Sequence, residues 1–370
     1  MAQTLGIYIH IPFCNSKCYY CDFFSRKQTE QEFDKYTQHL CKSIEYWGRQ
    51  AVNHLVDTVY FGGGTPSLLG TNRLVHILNN IKANFNLADN CEVTLEANPT
   101  SSNLIDFKFL HQNGFNRLSI GVQTSDDNEL KSVGRTHNLN DAVITVDNAK
   151  KGGFDNISLD LMLGLPSQTI DSLCKSIDFV ISQDVQHISC YMLKVEEGTV
   201  LHKNINKFKL CSEDEYADFY NLTCKKLREN NFEHYEISNF CKKGFESKHN
   251  NKYWQLDEYI GIGASAHSFF DGKRFFYPRS FEDFYNNKLV QDGDGGNYEE
   301  YVMLSLRTKN GLNLKKFKEK YGFGLPNTVL NKANIFVKNN LMDISKDALS
   351  LTEKGFLLSN EIIVQLLNEF

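Results

Sequence analysis

The sequence contains no apolar run approaching the ~18 residues that a membrane-crossing helix needs. Its opening, MAQTLGIYIHIPFC, lacks the basic head and long apolar core of a secretory leader. Those two absences make a cytoplasmic location the expectation. Basic charge is not in excess either: 40 Lys and Arg stand against 45 Asp and Glu, a formal charge of −5. A basic surface for nucleic acid is therefore not expected. There is no low-complexity tract, and no internal repeat of short period. What is there is ordinary for a globular protein, with 41% hydrophobic and 23% charged residues. A chain of 370 residues suggests one large domain and a smaller one.

Strand-like and helix-like stretches alternate through residues 1–240. Strands are expected at 5–11, 57–61, 92–96, 117–123, 155–161 and 187–193, with helical periodicity at 30–47, 71–84, 139–151 and 170–183 between them. Such alternation implies parallel strands joined by right-handed crossovers. Six units predict an α/β fold, a partial (β/α)6 barrel short of the eight-unit barrel. The strands carry a second pattern. Ile7, Ile9 and Ile11 alternate with Tyr8 and His10; Val93 and Leu95 with Glu92, Thr94 and Glu96. Leu118, Ile120 and Val122 alternate with Arg117, Ser119, Gly121 and Gln123; Ile157, Leu159 and Leu161 with Asn156, Ser158 and Asp160. With a period of two, the apolar set packs under the helices and the polar set lines the lumen. A polar lumen is unfavourable unless something occupies it, so a large polar ligand is expected inside.

Residues 241–291 read as an extension of the barrel, rich in aromatics and His, after a strand-like stretch at 235–238. The run 292–297, Asp-Gly-Asp-Gly-Gly-Asn, reads as a linker. Residues 298–370 read as a small, mainly helical, winged-helix-like domain with a small hairpin. Lys315, Lys316, Lys318 and Lys320 read as a solvated helix face.

Ten cysteines are present. Seven are scattered singly and read as buried thiols acting as small hydrophobes. Cys14, Cys18 and Cys21 are crowded into one loop after the first strand. Thiolates are the protein ligands of iron–sulfur clusters. Spacings of four and three let one loop hold three corners of a [4Fe–4S] cubane and leave the fourth iron open. A zinc site completed by His10 is the competing reading, but C-x3-C-x2-C is not a usual zinc spacing. The Gly62-Gly63-Gly64-Thr65 turn after the second strand would let backbone approach a ligand closely. Glu96, Gln123 and Asp160 fall at strand ends or on the lumen face, and Arg135 follows in Gly134-Arg-Thr-His137.

The three-cysteine loop after a first strand resembles the radical S-adenosylmethionine (SAM) superfamily. That resemblance implies that the open iron chelates SAM and that an electron from the cluster cleaves it to methionine and a 5′-deoxyadenosyl radical. The match is closer still. Tyr8-Ile-His-Ile-Pro-Phe-Cys14, GGGTP, Glu96-Ala-Asn-Pro99, Arg117-Leu-Ser-Ile-Gly-Val-Gln-Thr124 and Asp160-Leu-Met-Leu-Gly-Leu-Pro166 resemble the oxygen-independent coproporphyrinogen III oxidase family over essentially the whole chain. By that resemblance Tyr8, Gly63, Gly64, Thr65, Glu96, Gln123, Arg135 and Asp160 are SAM contacts, and Tyr20 shields the cluster or the adenine.

The family holds decarboxylating dehydrogenases and a branch of heme chaperones. The dehydrogenases carry a further cysteine two residues after the third, where this chain has Phe23, and a longer segment before the cysteine loop. His249-Asn-Asn-Lys-Tyr-Trp254 matches the H-N-x-x-Y-W motif of the chaperone branch. His is a proper axial ligand of heme iron, and Tyr253 and Trp254 could stack on a porphyrin. The chaperone reading implies heme as ligand and apo-hemoproteins as acceptors. The alternative is conversion of coproporphyrinogen III to protoporphyrinogen IX. An electron donor is implied if SAM is cleaved. A homodimer and peripheral membrane association through the acceptors are compatible with either reading.

Overall fold

The computed structural model describes residues 3–370. Six strands run parallel and pair in chain order: β1 (Gln3–Ile11), β2 (His54–Gly63), β3 (Asn86–Ala97), β4 (Arg117–Gln123), β5 (Ile157–Leu163) and β6 (His187–Met192). Helices connect them, as Glu30–Gln50, Gly70–Asn84, Leu139–Lys151 and Ile170–Ser182. Their starts are set locally. Thr29 accepts a hydrogen bond from the Glu32 amide while the Glu32 carboxylate accepts from the Thr29 amide at 2.9 Å, closing a capping box. Asn138 with Asp141, and Thr169 with Ser172, repeat the device.

This is the expected α/β arc of six units, with one shift. The strand expected at 155–161 occupies 157–163, and Phe154 ahead of it packs edge-on against Phe107.

Additional strands extend the arc on both sides. On β6 lie β8 (Asn239–Cys241) and then β7 (Glu233–Glu236), both antiparallel pairings. The strand expected at 235–238 is thus a tight hairpin that turns at Ile237–Ser238. On the free edge of β1 lies β9 (Tyr259–Ile262), parallel to it, followed by antiparallel β10 (His267–Phe270), β11 (Lys273–Phe276) and β12 (Val290–Asp294). The result is one twelve-stranded sheet with β12 and β7 at its ends. The run 292–297, expected as a linker, begins inside β12, where Asp294 pairs with Lys273. The Gly295 amide still donates to the Gly272 carbonyl at 3.0 Å. Charged residues are at home on such an edge strand. Asn297 then caps the helix Tyr298–Ser305.

The C-terminal module adds the helices Leu314–Tyr321, Asn327–Lys338 and Ser359–Leu367 to a three-stranded sheet of β13 (Leu312–Asn313), β14 (Met342–Ile344) and β15 (Ala348–Leu351), ordered 13-15-14. The expected hairpin, β14–β15, gains a third strand. Lys315, Lys316, Lys318 and Lys320 are exposed while Phe317 between them is buried. Val302, Leu306, Phe317 and Leu366 belong to the same apolar core as β1–β6. The Ile237 amide donates to the Arg307 carbonyl at 2.9 Å, which ties the module to the β7–β8 hairpin. Among the described residues no helix is long and apolar enough to cross a membrane.

The alternation in the strands resolves as two faces. Ile7, Ile9, Leu95, Leu118, Ile120, Val122, Leu159 and Leu161 are fully buried under the helices. Tyr8, Tyr60, Glu92, Glu96, Arg117, Ser119, Ser158, Asp160, His187, Ser189 and Tyr191 line the other face, the lumen.

Candidate functional site

At the C-terminal ends of the parallel strands the chain leaves β1 through Pro12 and Phe13 into the cysteine loop. Cys14, Cys18 and Cys21 are all free and half-buried. The Cys14 amide is held by the Arg26 carbonyl at 3.1 Å, and the Cys21 amide by the Cys18 carbonyl at 3.1 Å. Cys14 Sγ lies 3.4 Å from Thr65 Oγ1, and Arg135 Nη1 donates to Cys18 Sγ at 3.7 Å. Burial, with Cys18 and Cys14 close by, pushes the Cys21 thiol up to about 11. Among the described residues no three His, Cys, Asp or Glu side chains converge on one point as a metal centre. The loop therefore brings the thiols together at one end of the barrel without a coordinating triangle. The donor set still fits an iron–sulfur cluster: three thiols, three free sulfurs, and an arginine already facing one of them. His10, the residue that would complete a zinc site, points elsewhere. Its Nδ1 is 3.0 Å from the Tyr8 hydroxyl and its Nε2 3.5 Å from the Phe24 carbonyl. Burial lowers its pKa to about 4.

The glycine turn presses against this loop. Gly63 has φ +115°, and a Cβ there would meet the His10 ring at 2.7 Å. A Cβ on Gly64 would come within 2.6 Å of the Phe13 carbonyl oxygen, next to Cys14. Only glycine permits both the backbone conformation and the approach. The Gly63 amide donates to one oxygen of Glu96 at 3.2 Å, and the Tyr60 hydroxyl donates to the other at 2.8 Å. Burial first, and nearby Asp160 second, push the Glu96 carboxyl up to about 7. Asp160 accepts from Ser119 at 3.0 Å and from Ser158 at 3.3 Å. Arg135 Nη2 donates to the Gly121 carbonyl at 2.7 Å. Gln123 ends β4 at φ +71°, beyond an irregularity in the β4–β5 pairing. Tyr8, Gly63, Gly64, Thr65, Glu96, Gln123, Arg135 and Asp160 thus gather around one mouth. Tyr20 lies next to this ring, beside Arg135 and the sulfurs of Cys18 and Cys21. It packs with Val133, Met162, Leu165, Leu193 and Leu201 in a separate apolar cluster beside the loop.

The His249 motif lies at the opposite end. Helix Lys248–Gln255 closes the barrel at the N-terminal ends of β1–β3. Glu92 anchors it by accepting from the Lys248 and His249 amides, both at 3.1 Å. Lys252 is buried and pairs with Asp57 at 2.7 Å. His249 is 1% exposed. Its Nδ1 lies 2.8 Å from Thr58 Oγ1 and its Nε2 2.8 Å from Tyr253 Oη. Burial, with Lys252 next, lowers its pKa to about 3. The sequence reading presented His249 to an iron. In this conformation it does not present itself: both ring nitrogens are engaged inside the barrel. Tyr253 and Trp254 are half-buried on the same helix.

Sequence reasoning missed Tyr60 as part of the interior, and the particular roles of Glu92 and Arg117 within it. The alternation had put Glu92 and Arg117 on the lumen face, yet nothing in one strand shows what stands opposite.

A family model for the radical SAM superfamily matches residues 8–180, and one for the HemN C-terminal domain matches 297–358. The chain is 35% identical to the heme chaperone HemW of Bacillus subtilis, covering 98% of this chain and 99% of that one. It is 33% identical to the heme chaperone HemW of Lactococcus lactis, over 97% and 96% of the two chains. The corresponding figures for the heme chaperone HemW of Mycobacterium tuberculosis are 31%, 99% and 95%. Among solved structures, the coproporphyrinogen III oxidase HemN of Escherichia coli, a radical SAM enzyme, superposes with a TM-score of 0.84. It covers 98% of this chain at 20% identity, a likeness of fold.

Proposed function

The chain belongs to the HemW heme-chaperone family of radical SAM proteins, and we propose that it binds heme and passes it to apo-hemoproteins. One observation carries this reading: relatives named heme chaperones align with it from end to end. A likeness of fold to an oxidase does not carry an oxidase activity with it. Phe23, at the position where the decarboxylating enzymes carry a further cysteine, is 63% exposed beside the loop.

Cys14, Cys18 and Cys21 would hold a [4Fe–4S] cluster. Tyr8, Gly63, Gly64, Thr65, Glu96, Gln123, Arg135 and Asp160 would hold SAM. When bound, that pair supplies one-electron cleavage chemistry. This chain's own residues bind and orient. Glu96, fixed by Tyr60 and the Gly63 amide, offers a carboxylate to an ammonium. Arg135 places a cation beside the Cys18 sulfur.

His249, Tyr253 and Trp254 remain the heme contacts in this reading. Ligation by His249 requires helix Lys248–Gln255 to release the imidazole, because Thr58 and Tyr253 hold both its nitrogens.

The test is anaerobic. Cluster-reconstituted protein is titrated with hemin, then mixed with an apo-hemoprotein, and transfer is followed by absorbance. In parallel it receives coproporphyrinogen III, SAM and a reductant. Heme transfer without tetrapyrrole conversion is expected. Multiple-turnover formation of protoporphyrinogen IX would replace the chaperone reading with the dehydrogenase.

A further inference from the structure

Among the described residues Arg117 is the largest fully buried side chain, 2% exposed on the lumen face of β4. Among the described residues its guanidinium makes no hydrogen bond and no ion pair, and its Nε is an orphaned buried donor. The neighbouring carboxylates act on it only through space. Glu92 is committed to the Lys248 and His249 amides, and Asp160 to Ser119 and Ser158. Burial opposes its charge, but Glu92 and the other groups around it more than offset this and hold its pKa above the usual guanidinium value. What is left unmet is its hydrogen bonding, and a buried donor without an acceptor is unfavourable. Tyr191, on the lumen face of β6, is 41% exposed, so this face is reached from outside.

We propose that Arg117 is a carboxylate-binding site inside the barrel and takes a propionate of the tetrapyrrole. A guanidinium holds a carboxylate through two parallel hydrogen bonds. The two propionates of heme lie on one edge of the macrocycle, so that edge can reach a guanidinium while the iron lies elsewhere. The assignment rests on the heme reading. SAM also carries a carboxylate, so the two sources must be separated by the test.

Cluster-reconstituted full-length protein, Arg117→Met and Arg117→Lys are titrated anaerobically with hemin, with hemin dimethyl ester and with SAM, and each apo form is melted. Arg117→Met should weaken hemin about ten-fold or more, leave the ester unchanged and leave SAM unchanged. Arg117→Lys should fall between. The melting temperature of the ligand-free Arg117→Lys protein should be unchanged, because the charge is kept and no hydrogen bond of Arg117 is lost. Equal losses for hemin and its ester would overturn the assignment. So would a loss confined to SAM, or a ligand-free melting temperature lowered in Arg117→Lys, which would make the guanidinium a structural element of the fold. If hemin fails to bind the unaltered protein, the heme reading itself falls and takes this assignment with it.

Discussion

The imidazole of His249 lies nearly parallel to the phenol ring of Tyr60, with centroids 5.1 Å apart and planes at 27°. Tyr60 in turn donates to Glu96 at the mouth, and Tyr8 stacks on both rings. The floor of the barrel and the expected SAM ring therefore share one aromatic stack.

His249→Ala removes the partner of two hydroxyls and empties a buried site. A loss of about 2–4 kcal/mol is expected in urea unfolding at neutral pH. The folded pKa near 3 is depressed from 6.5. The stability from His249 is thus present above pH 6.5 and lost as pH falls towards 3. The gap between wild type and His249→Ala should narrow over that window. A constant gap would contradict the buried, neutral imidazole.

Tyr253→Phe keeps the ring and deletes the hydroxyl that occupies His249 Nε2. If that nitrogen ligates heme iron once released, the variant should bind hemin about five-fold more tightly, the value of one net hydrogen bond. Spectra of the His249→Ala complex provide the control. An unchanged or weaker affinity in Tyr253→Phe would remove Nε2 as a ligand.

Glu96 holds its proton up to about pH 7 in the fold, against 4.5 for the free side chain. Its folded pKa is raised, so its contribution to stability is complete below pH 4.5 and disappears as pH rises through 7. Glu96→Gln should therefore gain stability relative to wild type across that interval, by about one to three kcal/mol. SAM binding, measured calorimetrically, should tighten as pH rises through 7 in wild type and be flat in Glu96→Gln. A flat wild-type profile would mean that the SAM ammonium does not use this carboxylate.

Replacing Cys14, Cys18 or Cys21 singly with Ala should abolish reconstitution of a [4Fe–4S] cluster, read from iron and sulfide content. Cys41→Ala, which alters a buried lone thiol, should reconstitute normally. Full iron loading in any of the three loop variants would remove that cysteine as a ligand.

The cysteine loop, the glycine turn and the two faces of β1, β3, β4 and β5 were legible in the sequence because each is local. A spacing of three or four residues, a positive-φ glycine and a period of two need no distant partner. The end points of β5 and the boundary at 292–297 were not legible, because Phe154 meets Phe107 and Asp294 pairs with Lys273, contacts that the local sequence does not show. His249 shows the same limit more sharply. Its motif was readable, but its seat against Thr58 and Tyr60 depends on a helix returning 190 residues later to close the strands' lower end.

The order of residues by itself determined that six parallel strands would carry a polar interior, with three thiols at its open end, because alternation and spacing act within a few residues. Only the tertiary structure decided that Arg117 would stand in that interior without a partner and that His249 would be held from both sides, because pairing is a property of side chains brought together from separate strands.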